Sequence, residues 1–135
     1  MGMAFAAILV AGIAGTFTDW LFMGVLFHSA YNTYPEIWRP GIRAGADKGA
    51  IVWASALGFV MSAAAIVLCA LVGIGGIWGG LGIGLLVWIA GPLPVIVING
   101  MFVKIDSKIT VAHCLGYLAR LLIAGAAAGL LLPLS

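Results

Sequence analysis

The sequence predicts an all-α integral membrane protein built as a four-helix bundle. Hydrophobic residues make up 64% of the chain and charged residues 7%, with a mean hydropathy of +1.25. A soluble domain needs far more polar surface than this. The chain also contains four apolar stretches that each exceed the roughly 20 residues needed to cross a bilayer. Because these stretches are continuously apolar rather than alternating, they predict helices and not the strands of a barrel.

The four predicted spans form one transmembrane domain over residues 1–135. They cover about residues 3–27, 49–72, 77–103 and 109–132, and residues 28–48 form the longest connection. The amino-terminal end has neither a basic region nor a cleavage site of small residues followed by a polar stretch. We therefore expect the first apolar stretch to remain as a span rather than to be removed as a signal peptide.

The connection after the first span is predicted to be an interfacial loop. Aromatic rings that settle at the level of lipid headgroups alternate here with basic side chains. The residues concerned are Tyr31, Tyr34, Trp38, Arg39 and Arg43. Two prolines, Pro35 and Pro40, argue against one long surface helix in this segment.

The distribution of basic residues predicts the orientation of the chain. Lysine and arginine occur in the loops at residues 28–48 and 104–108, and neither occurs in the remaining turn or at the termini. Cytoplasmic loops of membrane proteins carry an excess of these residues. We therefore expect both basic loops to be cytoplasmic and both termini to face outward from a cell (inner) membrane.

Small residues recur at four-residue spacing in the third and fourth spans. Such faces let helices approach closely in lipid, where no hydrophobic force drives them together. The glycines concerned are Gly75, Gly79, Gly80, Gly84, Gly125 and Gly129. We favour packing inside one bundle for these glycines. The alternative is a homodimer face at the start of the third span.

Two prolines interrupt the third span near its centre. Pro92 and Pro94 cannot donate backbone hydrogen bonds, so they predict a kink or break in the helix. We favour a kink that shapes the bundle. The alternative is a broken-helix substrate site of the kind that transporters use.

Short matches suggest that the two halves of the chain repeat each other. Residues 55–62 (SALGFVMS) are similar to residues 113–120 (HCLGYLAR), and residues 23–27 (MGVLF) match residues 99–102 (NGMF) loosely. In this register each half is one helical hairpin, and both halves have the same orientation. The matches therefore predict a bundle made of two parallel hairpins.

One charged residue, Arg120, falls near the middle of the fourth span. A guanidinium at that depth costs at least about 2.5–3.5 kcal/mol on insertion scales, so it should face the protein interior and find a partner. Asp19 is the only carboxylate inside another apolar stretch. At about 1.5 Å per residue, Asp19 lies roughly 13 Å and Arg120 roughly 18 Å from the predicted cytoplasmic end, so the two can pair.

Further polar residues are predicted to extend this pair into a network. His113 and Tyr117 lie on the same helical face as Arg120. The full predicted set is Asp19, Arg120, His113, Tyr117, Asn99 and Thr16.

Three interpretations of this polar centre remain open. We favour a structural network in which Asp19 neutralises Arg120 and the other polar residues satisfy the remaining donors. The second is a proton- or solute-coupled site that uses Asp19 and Arg120. The third, the weakest, is ligation of a metal or haem by His28 and His113. We expect no catalytic residues, cofactor or metal, and we interpret both cysteines as packing residues.

Three segments resemble a family of small four-helix membrane proteins from bacteria and fungi that is classed as a domain of unknown function. Its first span carries a signature of the type G-x-x-W-Y-G-P-L-F-G, which resembles residues 15–27 (GTFTDWLFMGVLF). Residues 88–92 (WIAGP) and 113–117 (HCLGY) resemble its later motifs. The chain departs from the signature at Asp19 and at Leu21, which replaces the usual tyrosine. The resemblance implies a four-span fold and no particular activity.

The predicted function is that of a non-enzymatic structural or accessory component. We expect it to lie in the lipid bilayer and to pack against itself or a larger membrane complex. A net charge of +2 is too small to suggest nucleic acid as a partner. The alternative is a small transporter that uses Asp19 and Arg120.

Overall fold

Helices account for nearly all of the backbone that the structure describes. The computed structural model describes residues 2–39, 48–73 and 75–132, and no strand occurs within these ranges. The α-helices are α1 (Gly2–Asp19), α2 (Lys48–Val72), α3 (Gly76–Ala90), α4 (Pro92–Phe102) and α5 (Ser107–Leu131). The predicted all-α class is confirmed.

Four helical segments are long and apolar enough to cross a membrane. They are Gly2–Leu26, Lys48–Val72, Gly76–Phe102 and Ser107–Leu131. Their boundaries lie within two residues of those predicted from hydropathy, because each apolar stretch is bounded by polar or charged residues, glycine or proline.

The first of these segments changes its helical form immediately after Asp19. Residues Trp20–Leu26 form a π-helix, which α1 enters without a break. The backbone N–H of Phe27 donates to the carbonyl of Phe22 at 3.0 Å, five residues earlier. Hydropathy does not predict this wider turn. π-Helical turns are rare and frequently occur at functional sites, and this one adjoins the predicted polar centre.

The third segment is broken at the predicted prolines. α3 ends at Ala90, and Gly91 leaves helical geometry with φ −125° and ψ −86° before α4 begins at Pro92. Proline suits the first turn of a helix because its missing N–H has no intrahelical partner there. The predicted kink is therefore a junction between two helices.

α5 lies at the centre of the bundle and packs against each of the other four α-helices. Small residues along α5 are buried and let these neighbours approach, among them Ala112, Gly116 and Ala124. The indole N–H of Trp88 on α3 also donates to the carbonyl of Cys114 on α5 at 2.9 Å.

The glycines of α3 and α5 pack against each other within the chain. A Cβ added to Gly80 would lie 2.7 Å from the carbonyl carbon of Gly125. A Cβ on Gly129 would lie 2.6 Å from the carbonyl carbon of Gly76, and one on Gly84 would lie 2.9 Å from that of Leu121. This face is therefore occupied by intramolecular packing, and a homodimer built on it would have to displace α5.

Two other predicted packing glycines lie at the edge of this contact. Gly75 is the N-cap residue of α3, and Gly79 lies in its first turn. Both are half-buried. The two-hairpin repeat stays a prediction.

The first connection folds back onto the turn between α4 and α5. It contains two short 3₁₀ helices, His28–Asn32 and Pro35–Ile37. The Thr33 hydroxyl donates to Asp106 Oδ2 at 2.7 Å, and Lys104 Nζ lies 3.2 Å from Glu36 Oε1. The loops that carry most basic residues therefore meet at one end of the bundle.

The aromatic residues of this connection pack among themselves and onto Lys104. The indole N–H of Trp38 donates to the Tyr31 carbonyl at 3.0 Å, and Lys104 Nζ lies 4.4 Å from the centre of the Tyr34 ring. Arg39 is exposed. Pro40 and Arg43 lie outside the described residues, and the interfacial placement of the loop stays a prediction.

Replacing Gly80 with leucine is expected to separate α3 from α5. The added side chain meets the backbone of Gly125, which cannot rotate away, so we expect a loss of about 1–3 kcal/mol in the free energy of unfolding. The measurement is an SDS titration of the detergent-solubilised protein, followed by circular dichroism. Gly82→Leu is the control, because nothing lies within 4 Å of a Cβ there. Equal losses in both variants would contradict the packing described.

Candidate functional site

Arg120 is the largest fully buried side chain of the described residues. Its Nε and Nη2 atoms both donate to Asp19 Oδ2, at 3.2 and 2.5 Å. Nη1 donates to Ser62 Oγ at 3.3 Å, and Nη2 lies 3.5 Å from Thr16 Oγ1. One guanidinium thus joins α1, α2 and α5.

Two glycines make room for this guanidinium. A Cβ on Gly15 of α1 would lie 3.0 Å from Arg120 Cζ, and a Cβ on Gly58 of α2 would lie 2.6 Å from the same atom. Gly15 precedes Asp19 by four residues, and Gly58 precedes Ser62 by four residues, so each glycine shares a helical face with a partner of the arginine. We call the space between Gly15 and Gly58 the arginine slot.

Sequence reasoning missed the role of Ser62 and of both glycines. Gly58 and Ser62 are small residues at four-residue spacing in the second span, a pattern that is typical of helix packing and does not by itself indicate a slot. One sequence pattern does indicate the slot. In two spans a glycine lies one helical turn before a polar residue, namely Gly15 before Asp19 and Gly58 before Ser62.

Asp19 uses its two carboxylate oxygens unequally. Oδ2 accepts both bonds from Arg120, whereas Oδ1 is buried and has no hydrogen-bond partner within the described chain. A Cβ on Gly116 of α5 would lie 3.4 Å from Oδ1 and 3.1 Å from the methyl carbon of Met23. A buried acceptor without a partner costs roughly 1–3 kcal/mol, and more when it is charged.

A cavity of ≈ 890 Å³ adjoins this carboxylate. α1, the π-helix and α2 form most of its wall, and Tyr117 of α5 contributes to it. The wall is mainly apolar, and its polar side chains are Thr16, Asp19, Ser55 and Tyr117. Because Phe17 is 58% exposed and Leu57 is 62% exposed, the cavity borders the outer surface of the bundle.

His113 is held by the first connection rather than by Arg120. Its Nε2 atom lies 2.8 Å from the Tyr31 hydroxyl, with which it forms a hydrogen bond. Burial, with a smaller contribution from Tyr117, raises the pKa of Tyr31 to about 12, so this hydroxyl stays protonated at neutral pH. The His113 and Tyr117 rings meet edge to face, with centroids 6.3 Å apart.

The prediction that Asn99 belongs to the polar network is wrong. Asn99 is exposed on α4, whereas the next residue, Gly100, faces α5, where a Cβ would lie 2.6 Å from Thr110 Oγ1. Successive residues of a helix point about 100° apart, so the face that carries Gly100 turns Asn99 outward. His113 and Tyr117 also make no hydrogen bond to Arg120, whose other hydrogen bonds go to Ser62 and Thr16.

Among the residues that it describes, the structure places no further ligating side chains with His28 and His113, the two residues interpreted as possible metal or haem ligands. The Tyr31 ring is close to both histidines, with centroid distances of 6.1 Å to His28 and 6.4 Å to His113. Within residues 2–39, 48–73 and 75–132, no three His, Cys, Asp or Glu side chains are grouped closely enough to hold a metal ion.

Comparisons of the chain with protein-family models, with curated proteins and with solved structures find no match. The resemblance to the four-span family therefore stays a prediction.

Replacing Gly58 with alanine is expected to disturb the arginine slot. The new methyl group would lie 2.6 Å from Arg120 Cζ, so the guanidinium must move away from Asp19 and Ser62, at a cost of about 1–3 kcal/mol in the free energy of unfolding. The same SDS titration measures it. Gly82→Ala is the control and should be neutral or slightly stabilising, since alanine favours helix. The slot is refuted if Gly58→Ala is as stable as this control.

Proposed function

We propose that the protein is a non-enzymatic structural or accessory component of a cell (inner) membrane. The observation that carries this proposal is the complete burial of Arg120, all of whose hydrogen bonds go to side chains of its own bundle. A solute could contact this buried guanidinium only if α1, α2 and α5 moved apart. Its effect is to fix the arrangement of three helices.

The proposed orientation places both basic loops in the cytoplasm and both termini outside. Contacts between the loops support it, because Thr33 bonds to Asp106 and Lys104 pairs with Glu36. Lys104 and Lys108 therefore lie at the same end of the bundle as the first connection, which is what the excess of positive charge on the cytoplasmic side requires.

We propose that the partner is a second copy of the chain or a larger membrane complex. The glycines of α3 and α5 are already used inside the chain, so a partner must bind another surface. Large apolar side chains are exposed around the bundle, including Trp53 (71%), Leu71 (80%) and Trp78 (83%). In a bilayer these side chains contact either lipid or the helices of a neighbouring protein.

Gentle extraction from the native membrane tests the accessory role. We expect the tagged protein to migrate as a homo-oligomer or with a larger complex in native mass spectrometry. The slot variant Gly58→Ala is expected to reduce that assembly, and the control Gly82→Ala is expected to retain it. A wild-type protein that migrates as a folded monomer without partners would contradict the proposal.

A small transporter is the second candidate, and the cavity beside Asp19 is the observation that favours it. A solute-coupled site needs an ionisable group that solute can approach, and Asp19 is 22% exposed whereas Arg120 is completely buried. The test is solute flux into proteoliposomes. Flux through the wild-type protein that is lost in a well-folded variant whose cavity is blocked would favour transport over the accessory role.

A further inference from the structure

The bond between Arg120 and Asp19 leaves an acceptor free. An ion pair between arginine and a carboxylate is strongest when two parallel N–H groups donate to the two carboxylate oxygens. Here both N–H groups bind Oδ2, and Oδ1 is left buried without a partner in the described chain. Asp19 thus retains the capacity to accept a hydrogen bond from a further group.

Tyr117 offers a complementary group in the same cavity. Its side chain lines the wall together with Asp19, and its hydroxyl makes no hydrogen bond to any residue that the structure describes. A phenol can donate one hydrogen bond, and an ionised carboxylate can only accept. A ligand that both donates and accepts would satisfy the two residues together.

The charges around the cavity determine which ligand fits. Asp19 and Arg120 sum to zero, and among the residues that the structure describes Asp19 is the only Asp, Glu, Lys or Arg in the cavity wall. A cationic or anionic headgroup would therefore add an uncompensated charge to an apolar space, which is unfavourable. A neutral hydroxyl group can donate to Oδ1 and accept from Tyr117 without that cost.

The size and position of the cavity determine how such a ligand enters. A volume of ≈ 890 Å³ lies within the range of about 300–1,000 Å³ that small-molecule sites occupy. The wall carries exposed apolar residues such as Phe17, Trp20 and Leu57, so the cavity is reached from the side of the bundle. The ligand must therefore partition into the bilayer.

We propose that this cavity binds an uncharged amphiphile that carries a hydroxyl headgroup. The hydroxyl donates to Asp19 Oδ1 and accepts from Tyr117, and the apolar tail lies along Phe17, Trp20 and Leu57. Met23 lines the cavity beside Oδ1 and has an unbranched, flexible side chain that moves aside to admit the hydroxyl. This binding is independent of the accessory role.

Photocrosslinking tests the proposal on the full-length protein in phosphatidylcholine nanodiscs. The reagent is a photoreactive hexadecanol, and unlabelled hexadecanol, hexadecane, hexadecylamine and palmitate compete with it. We expect labelling within residues 13–24 and 51–61, which hexadecanol displaces at a concentration about tenfold lower than any other competitor. Tyr117→Phe should reduce this preference by about threefold to tenfold, since one hydrogen bond is lost.

Two phenylalanine substitutions on α2 provide the matched comparison. Ala54→Phe places a ring inside the cavity, where the ligand would lie, and should reduce labelling at least about tenfold. Ala64→Phe adds the same ring at an exposed position outside the cavity and should leave labelling unchanged. Equal displacement by hexadecane, a preference for hexadecylamine or palmitate, or full labelling of Ala54→Phe would each overturn the proposal. If the binding proposal fails, the assembly that native mass spectrometry measures is still expected, so the two proposals can be distinguished.

Discussion

Burial of one guanidinium constrains the whole bundle. Removing a charge from water costs several kcal/mol, and a buried pair offsets this cost only when its geometry is good and its other donors are bonded. Arg120 bonds to Asp19, Ser62 and Thr16, which lie on two other helices, although Oδ1 of Asp19 keeps no partner in the described chain. The positions of α1 and α2 relative to α5 are therefore set by a few hydrogen bonds and by two glycines that leave space for them.

The two sides of α5 stabilise the bundle by different means. Towards α1 and α2, polar bonds to Arg120 hold the helices, and side chains as small as Gly15 and Gly58 are required. Towards α3, backbone meets backbone at Gly80 and Gly125, and the contact depends on close packing. Packing and polar bonds are the forces available between helices in lipid, where apolar burial gives little advantage.

The overall fold could be predicted from sequence because long apolar stretches leave the chain few alternatives to helices. Pairing of Asp19 with Arg120 could also be predicted, since each charge had only one partner inside the spans. The direction of individual side chains could not be predicted, since Asn99 points outward because α4 turns its neighbour Gly100 towards α5. The π-helix after Asp19 and the bond from Arg120 to Ser62 depend on how the helices pack, and hydropathy carries no signal for either.

A double-mutant cycle between Asp19 and Arg120 tests most directly whether this pair holds the bundle together. The variants are Asp19→Asn, Arg120→Gln and the two combined, and the free energy of unfolding of each is measured in the same detergent. Each single variant leaves one buried charge unpaired and should lose about 3–5 kcal/mol. The double variant leaves none and should be more stable than either single variant. Losses that simply add would contradict the pairing, because they would show that the two residues act independently.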